Sequence, residues 1–138
     1  MEKKNVKEFL SQMFYINDAI KTKQEQLARL RDMQSSVRTS IYGEKTQSKS
    51  AYDRIADITA KIVDLENDCI MSISWFLDLK RKALEIIDLA EDPVQRTLLE
   101  NRYINLKTWE TIADDMHYSW DSVHRIHRKA LSSLEAGD

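Results

Sequence analysis

The chain has 138 residues, of which 42% are hydrophobic and 32% charged, with two glycines, one proline and a formal net charge of -2. So few breakers leave almost nothing to punctuate strands and tight turns, and the composition suits amphipathic helices rather than disorder. The length allows one or two small domains, and the charge balance lends no global support to nucleic-acid binding.

In the first segment, about Glu2 to Ser36, Val6, Phe9, Met13, Ile16, Ile20, Lys23, Leu27, Leu30, Gln34 and Val37 recur at alternating steps of three and four. That is a coiled-coil seam on one long helix, interrupted only by Lys23 and Gln34. Residues 38–50, RTSIYGEKTQSKS, are read as a flexible connection, and Lys45 and Lys49 offer an arm for phosphate contact. A second long helix is expected from about Ala51 to Leu89. Its seam is Ile55, Ile58, Ile62, Leu65, Cys69, Ser72, Phe76, Leu79, Ala83 and Ile86. Val63, Ile70, Leu77 and Leu84 add a neighbouring stripe, with Ile73 and Ile87 on the other flank, so this helix carries more apolar face than one partner covers. An antiparallel hairpin with the first helix is expected over 1–91, and the surplus face should meet either the C-terminal module or another subunit, with homo-oligomerisation the expectation.

Cys69 is the single cysteine and cannot form an internal disulfide; on this seam it reads as a small core residue in a reducing compartment. MEKKNVKEFL holds no apolar signal core. The run from Cys69 to Leu77, bounded by Asp68 and Asp78, is too short to span a bilayer. A soluble, intracellular protein without a membrane role is the expectation.

At Asp92-Pro93 a new element begins. Asp92 suits an N-cap, Pro93 the first helical position and Gln95 the capping-box position. This helix runs to about Ile104 with Val94, Leu98, Leu99 and Tyr103 inward, and Asn105-Leu106-Lys107 forms a turn. Then follows TWETIADDMHYSWDSVHRIHRKALSSL. Ile112, Ala113 and Met116 line one helix face, and Val123, Ile126, Ala130 and Leu134 line another. Thr108 and Ser119 stand where each helix needs an N-cap, and small Ala113 stands where two helices cross. The pattern is a helix-turn-helix over 92–138, the arrangement whose second helix enters the DNA major groove.

With Leu99, Arg102-Tyr103, Thr108, Ile112-Ala113, Met116, Ser119, Val123, Ile126 and Ala130-Leu131, the C-terminal third resembles region four of bacterial primary sigma factors. The whole chain resembles a family of small phage-encoded regulators related to the RinA and ArpU types of late transcriptional regulator. The likeness is carried by KIVDLENDC, DLKRKALEIIDLAEDP, LLENRYINLKTWETIADDMHYS and VHRIHRKAL. It implies an all-α fold, a role in activating phage late genes, the cytoplasm of a bacterial host, and RNA polymerase as a partner beside double-stranded DNA. The sequence departs from the family at the turn, where His117 replaces the usual glycine, and at Trp120-Asp121, where the family is often basic.

The candidate DNA contacts are Arg125 and Arg128 toward bases, with Trp120, Asp121 and His124 beside them, and Thr108, Ser119, Ser122 and Lys129 toward the backbone. His124 and His127 have an HxxH spacing but no second ligand pair near in sequence, so no metal and no cofactor is expected. Asp114, Asp115 and Glu110 read as solvent-facing charges. Without a nucleophile–base pair or a phosphate-cradling glycine loop, the chain is not read as an enzyme. Two alternatives stand beside the regulator: a phage small terminase subunit that binds DNA for packaging, and a helical module that docks on polymerase without touching DNA.

Overall fold

The computed structural model describes residues 5–43 and 49–136, and among these every regular element is helical. The elements are α1 (Val6–Gly43), α2 (Lys49–Ile87), α3 (Pro93–Leu99), which continues into a wide π-type turn over Glu100–Ile104, α4 (Trp109–Met116) and α5 (Trp120–Ala136).

Helix α1 starts after Asn5, whose Oδ1 accepts from the Glu8 amide at 3.1 Å. The expected connection over 38–50 is corrected at both ends. Helix α1 runs on to Gly43, and α2 already begins at Lys49. The reason is local: Ile41 follows Val37 by four and prolongs the three–four spacing, and its side chain is buried. Of the expected phosphate-contacting arm, Lys49 is the first residue of α2, while Lys45 lies outside the described residues.

The chain divides into two compact units, residues 18–75 and a second made of residues up to Asn17 with those from Phe76 onward. In the 18–75 unit, Leu27, Ile58 and Ile62 form a buried cluster flanked by Leu30, Val37 and Leu65. The two polar interruptions of the α1 seam each find a hydroxyl on α2 in this unit. Lys23 Nζ donates to Ser72 Oγ at 2.9 Å, and Gln34 Nε2 donates to Thr59 Oγ1 at 2.9 Å. Arg31 faces Glu66 at 3.9 Å. Partners descend along α2 as positions rise along α1, so the pairing within this unit is antiparallel. Two seam lysine and glutamine side chains with a matched hydroxyl each fix one register, because a slip leaves them facing aliphatic groups. Val63 and Ile70, one heptad apart, stay 51% and 63% exposed, with Trp75 at 58%.

In the other unit the fully buried large side chains are Leu10, Met13, Ile87, Leu98, Leu99, Ile112 and Val123. Leu10 was absent from the expected seam, although it follows Val6 by four. Asp92 caps α3 by accepting from the Val94 amide at 2.9 Å, with Pro93 at the first position as expected. No helix among the described residues is long and apolar enough to cross a membrane.

Replacing Ser72 with Leu removes the acceptor of a half-buried ammonium and should lower stability by about 1 kcal/mol. The pair Lys23→Leu with Ser72→Leu should recover that loss or exceed it. Urea unfolding of the single and double variants measures both, and strict additivity would dissolve the pairing.

Candidate nucleic-acid interface

Helices α4 and α5 are set by their caps. Thr108 has extended backbone, and its Oγ1 accepts from the Thr111 amide at 3.2 Å. At the other end His117 takes the left-handed conformation, φ 61° and ψ 38°. The His117 amide donates to Asp114 O at 3.3 Å and the Tyr118 amide to Ala113 O at 3.0 Å. These are the two bonds of a Schellman cap. Such a turn favours glycine, and His117 occupies it at a modest steric cost. Ser119 Oγ then accepts from the Ser122 amide at 3.1 Å and opens α5. Behind the turn, Leu98, Ile112, Ala113 and Val123 are packed with Trp109, Met116 and Ile126 around them.

This scaffold sorts the expected contact residues into three groups. Asp121, Arg125, Arg128 and Lys129 project outward and are exposed. No ion pair among the described residues engages Arg125, Arg128 or Lys129, and the nearest polar contact of Arg125 is a long 3.4 Å approach to Ser122 Oγ. Thr108, Ser119 and Ser122 form the second group. Their hydroxyls are taken up locally, Thr108 with Thr111 at 2.9 Å and Ser119 with Ser122 at 2.9 Å. The third group is aromatic. His124 lies between Trp120, ring centroids 3.8 Å apart, and Trp109 at 4.5 Å, while Trp120 itself remains 54% exposed. The His124 Nε2 is shielded and has no hydrogen-bond partner among the described residues. Desolvation, then the Arg128 and Arg102 charges, lower its pKa, and Asp121 opposes them.

Beneath this surface lies a buried polar pair that the sequence did not disclose. His127 is 5% exposed and its Nε2 is 2.7 Å from the Tyr103 hydroxyl. Phe14 meets Tyr103 edge-on at 6.1 Å. Arg102 is held between two rings, its guanidinium carbon 4.4 Å from the centroids of both Phe14 and Trp109. Desolvation pushes Tyr103 up to about 12 against the smaller opposing effects of Arg102 and Ser11. It pulls His127 down to about 4, helped by Lys7, His124, Arg102 and Arg128. At neutral pH both groups are therefore uncharged and share one proton-mediated contact. The signal for His127 was present: it follows Val123 by four and precedes Leu131 and Leu134, which places it on the core face. A signal for Trp109 was present too: it precedes Ile112 by three, Ala113 by four and Met116 by seven, which places it on the core face of α4.

No protein-family model matches the chain, and no curated protein or solved structure matches it either.

Because the folded pKa of His127 lies below its unfolded value near 6.5, the unfolded chain takes up the proton first as pH falls. Stability should be full above pH 6.5, decline between 6.5 and about 4, and level off below, a loss on the order of 3 kcal/mol from this residue. Urea midpoints across that range measure it. His127→Phe should flatten the slope, and an unchanged slope would assign the acid sensitivity elsewhere.

Proposed function

We propose that the chain is a sequence-specific regulator that binds double-stranded DNA through α5, of the phage late-transcription type that its sequence resembles. The observation that carries this reading is the row of unneutralised cations Arg125, Arg128 and Lys129 on the outward face of a helix that follows a capped three-residue turn. Steps of three and four put Arg125 and Arg128 on one stripe, so both reach one groove together. Arginine pairs bidentately with guanine, whereas Lys129 suits a phosphate. Asp121 heads the same stripe, repels phosphate and limits non-specific affinity. The captured hydroxyls of Thr108 and Ser119 leave their exposed helix starts as backbone-amide contacts for phosphate rather than hydroxyl contacts.

Arg125→Ala or Arg128→Ala should each cost about 1–3 kcal/mol in binding and relax preference at one base position. Lys129→Ala should weaken all sequences alike and reduce the salt slope by about one. Titration of labelled duplexes, selected from DNA that co-purifies with the protein, reads these effects. If both arginine variants bind as the parent does while remaining folded, α5 is not the reader. The exposed Trp120 and Tyr118 then favour docking on a protein such as RNA polymerase.

The second part of the proposal is a homo-oligomer formed by the 18–75 unit. Val63 and Ile70 at heptad spacing, with Met71, Ile73 and Trp75 also exposed, leave an apolar surface that a lone hairpin does not cover. Ile70→Asp should shift the mass seen by light scattering at micromolar concentration to that of one chain. A parent protein that is already monomeric there would remove this part of the proposal and leave the DNA reading intact.

A further inference from the structure

Lys7, Ser11, Arg102, Tyr103, His124 and His127 surround a recess of about 260 Å³, with the rings of Phe14 and Trp109 as its walls. This is below the roughly 300–1,000 Å³ of sites for drug-sized ligands, so the recess suits a small group. Its chemistry is one-sided. Two of these residues are permanent cations, and no carboxylate is among the residues that line it. Neither Lys7 nor Arg102 enters an ion pair among the described residues. Arg102 spends one N–H on the Lys107 carbonyl at 2.9 Å, which leaves the rest of its donor fork uncommitted. The shielded Nε2 of His124 lacks a partner at the same recess, and a polar atom in that condition is costly unless something meets it.

We propose that this recess binds a phosphate-type oxyanion, held by the Lys7 ammonium, the Arg102 guanidinium and the Nε2 of His124. An oxyanion supplies acceptors for donors that line one recess, and charge-assisted bonds to it are short and strong. Phosphate is favoured over carboxylate because it offers acceptors in three directions, toward groups contributed by α1, the π turn and α5. His124 donates from Nε2 as the neutral Nε2–H tautomer or as the imidazolium, and a bound anion favours the charged form. Desolvation, Arg128 and Arg102 oppose protonation of His124 in the empty site, whereas Asp121 and the incoming anion favour it. The phosphate is either free in solution or a diester of the DNA backbone. Only that second source rests on the proposed DNA binding.

The test uses the full chain and nitrogen-resolved NMR of its histidine rings. Inorganic phosphate, added against chloride at matched ionic strength, should raise the pH midpoint of the His124 ring by about 1 and saturate. Lys7→Gln, an exposed substitution, should weaken that response about tenfold, and Lys61→Gln, in the 18–75 unit, should leave it unchanged. A short DNA duplex is the second arm. If it competes with phosphate for the His124 signal, the site takes a backbone phosphate; if it leaves the phosphate response untouched, the site takes a free anion. Either result supports an oxyanion site. A His124 ring that ignores both phosphate and duplex, or a response indifferent to Lys7→Gln, overturns it, even where the duplex still binds through Arg125 and Arg128.

Discussion

The contact between Tyr103 and His127 is the constraint on which the C-terminal arrangement depends. Both side chains are nearly inaccessible to water, and the Nε2 of His127 is met by the Tyr103 hydroxyl, which also has a side-chain hydrogen bond with Ser11. The Tyr103–His127 bond ties the π turn to α5 at 2.7 Å. The phenol cannot ionise and the imidazole cannot charge at neutral pH, so a neutral bond is the stable state of the pair. Apolar packing alone would tolerate rotation of α5 about its axis, since Val123, Ala130 and Leu134 offer a smooth face. A single buried polar pair does not tolerate it, and so fixes which α5 residues point outward.

Arg102 makes the same region rigid by a different means. Two residues beyond the π turn, Leu106 has φ 56°, a left-handed conformation that costs a residue with a Cβ on the order of 1–2 kcal/mol. Around it, the Asn105 amide reaches back to Glu100 O at 2.9 Å and the Lys107 amide to Asn101 O at 3.0 Å. Arg102 Nη1 closes the turn on the Lys107 carbonyl while its planar group lies between Phe14 and Trp109. A charge-assisted bond and two cation–π contacts, about 0.5–2 kcal/mol each, suffice to offset the strain at Leu106. Lysine supplies neither the fork nor the planar stack, so this position is specific for arginine.

Much of the helical architecture was legible because its determinants are periodic or local. The three–four seams of α1 and α2, the Asp92-Pro93 start, the caps at Thr108 and Ser119 and the left-handed His117 each depend on residues within one turn of one another. What escaped the sequence depends on residues far apart in it. Phe14 and Trp109 enclose Arg102 across more than half the chain, and Tyr103 meets His127 across 24 positions. The spacing of His124 and His127 suggested metal ligation only to be set aside, whereas their separate fates arise from their neighbours. Trp109 meets both rings, at 4.5 Å and 4.6 Å; Tyr103 adds a hydrogen bond to His127, and Trp120, from the same helix, a second ring contact to His124. The extension of α1 to Gly43 was obscured by composition, since hydroxyl and basic residues around Ile41 mask a seam position that burial reveals.

Global charge and local charge point in different directions in this chain. The net value of -2 comes from carboxylates spread along the helices, whereas Lys7, Arg102, Arg125, Arg128 and Lys129, on or near α5, enter no ion pair among the described residues. At ordinary ionic strength fields decay over about 8–10 Å, so a ligand at α5 responds to these cations and to Asp121 far more than to distant acids. The distant acids still matter at long range and at low salt, where they discourage indiscriminate adhesion to polyanions. A weakly repelled approach combined with a cation-rich contact face favours binding decided by short-range geometry. Under the proposed DNA reading, that is the condition in which a bidentate arginine discriminates between bases, because affinity is not already saturated by phosphate attraction.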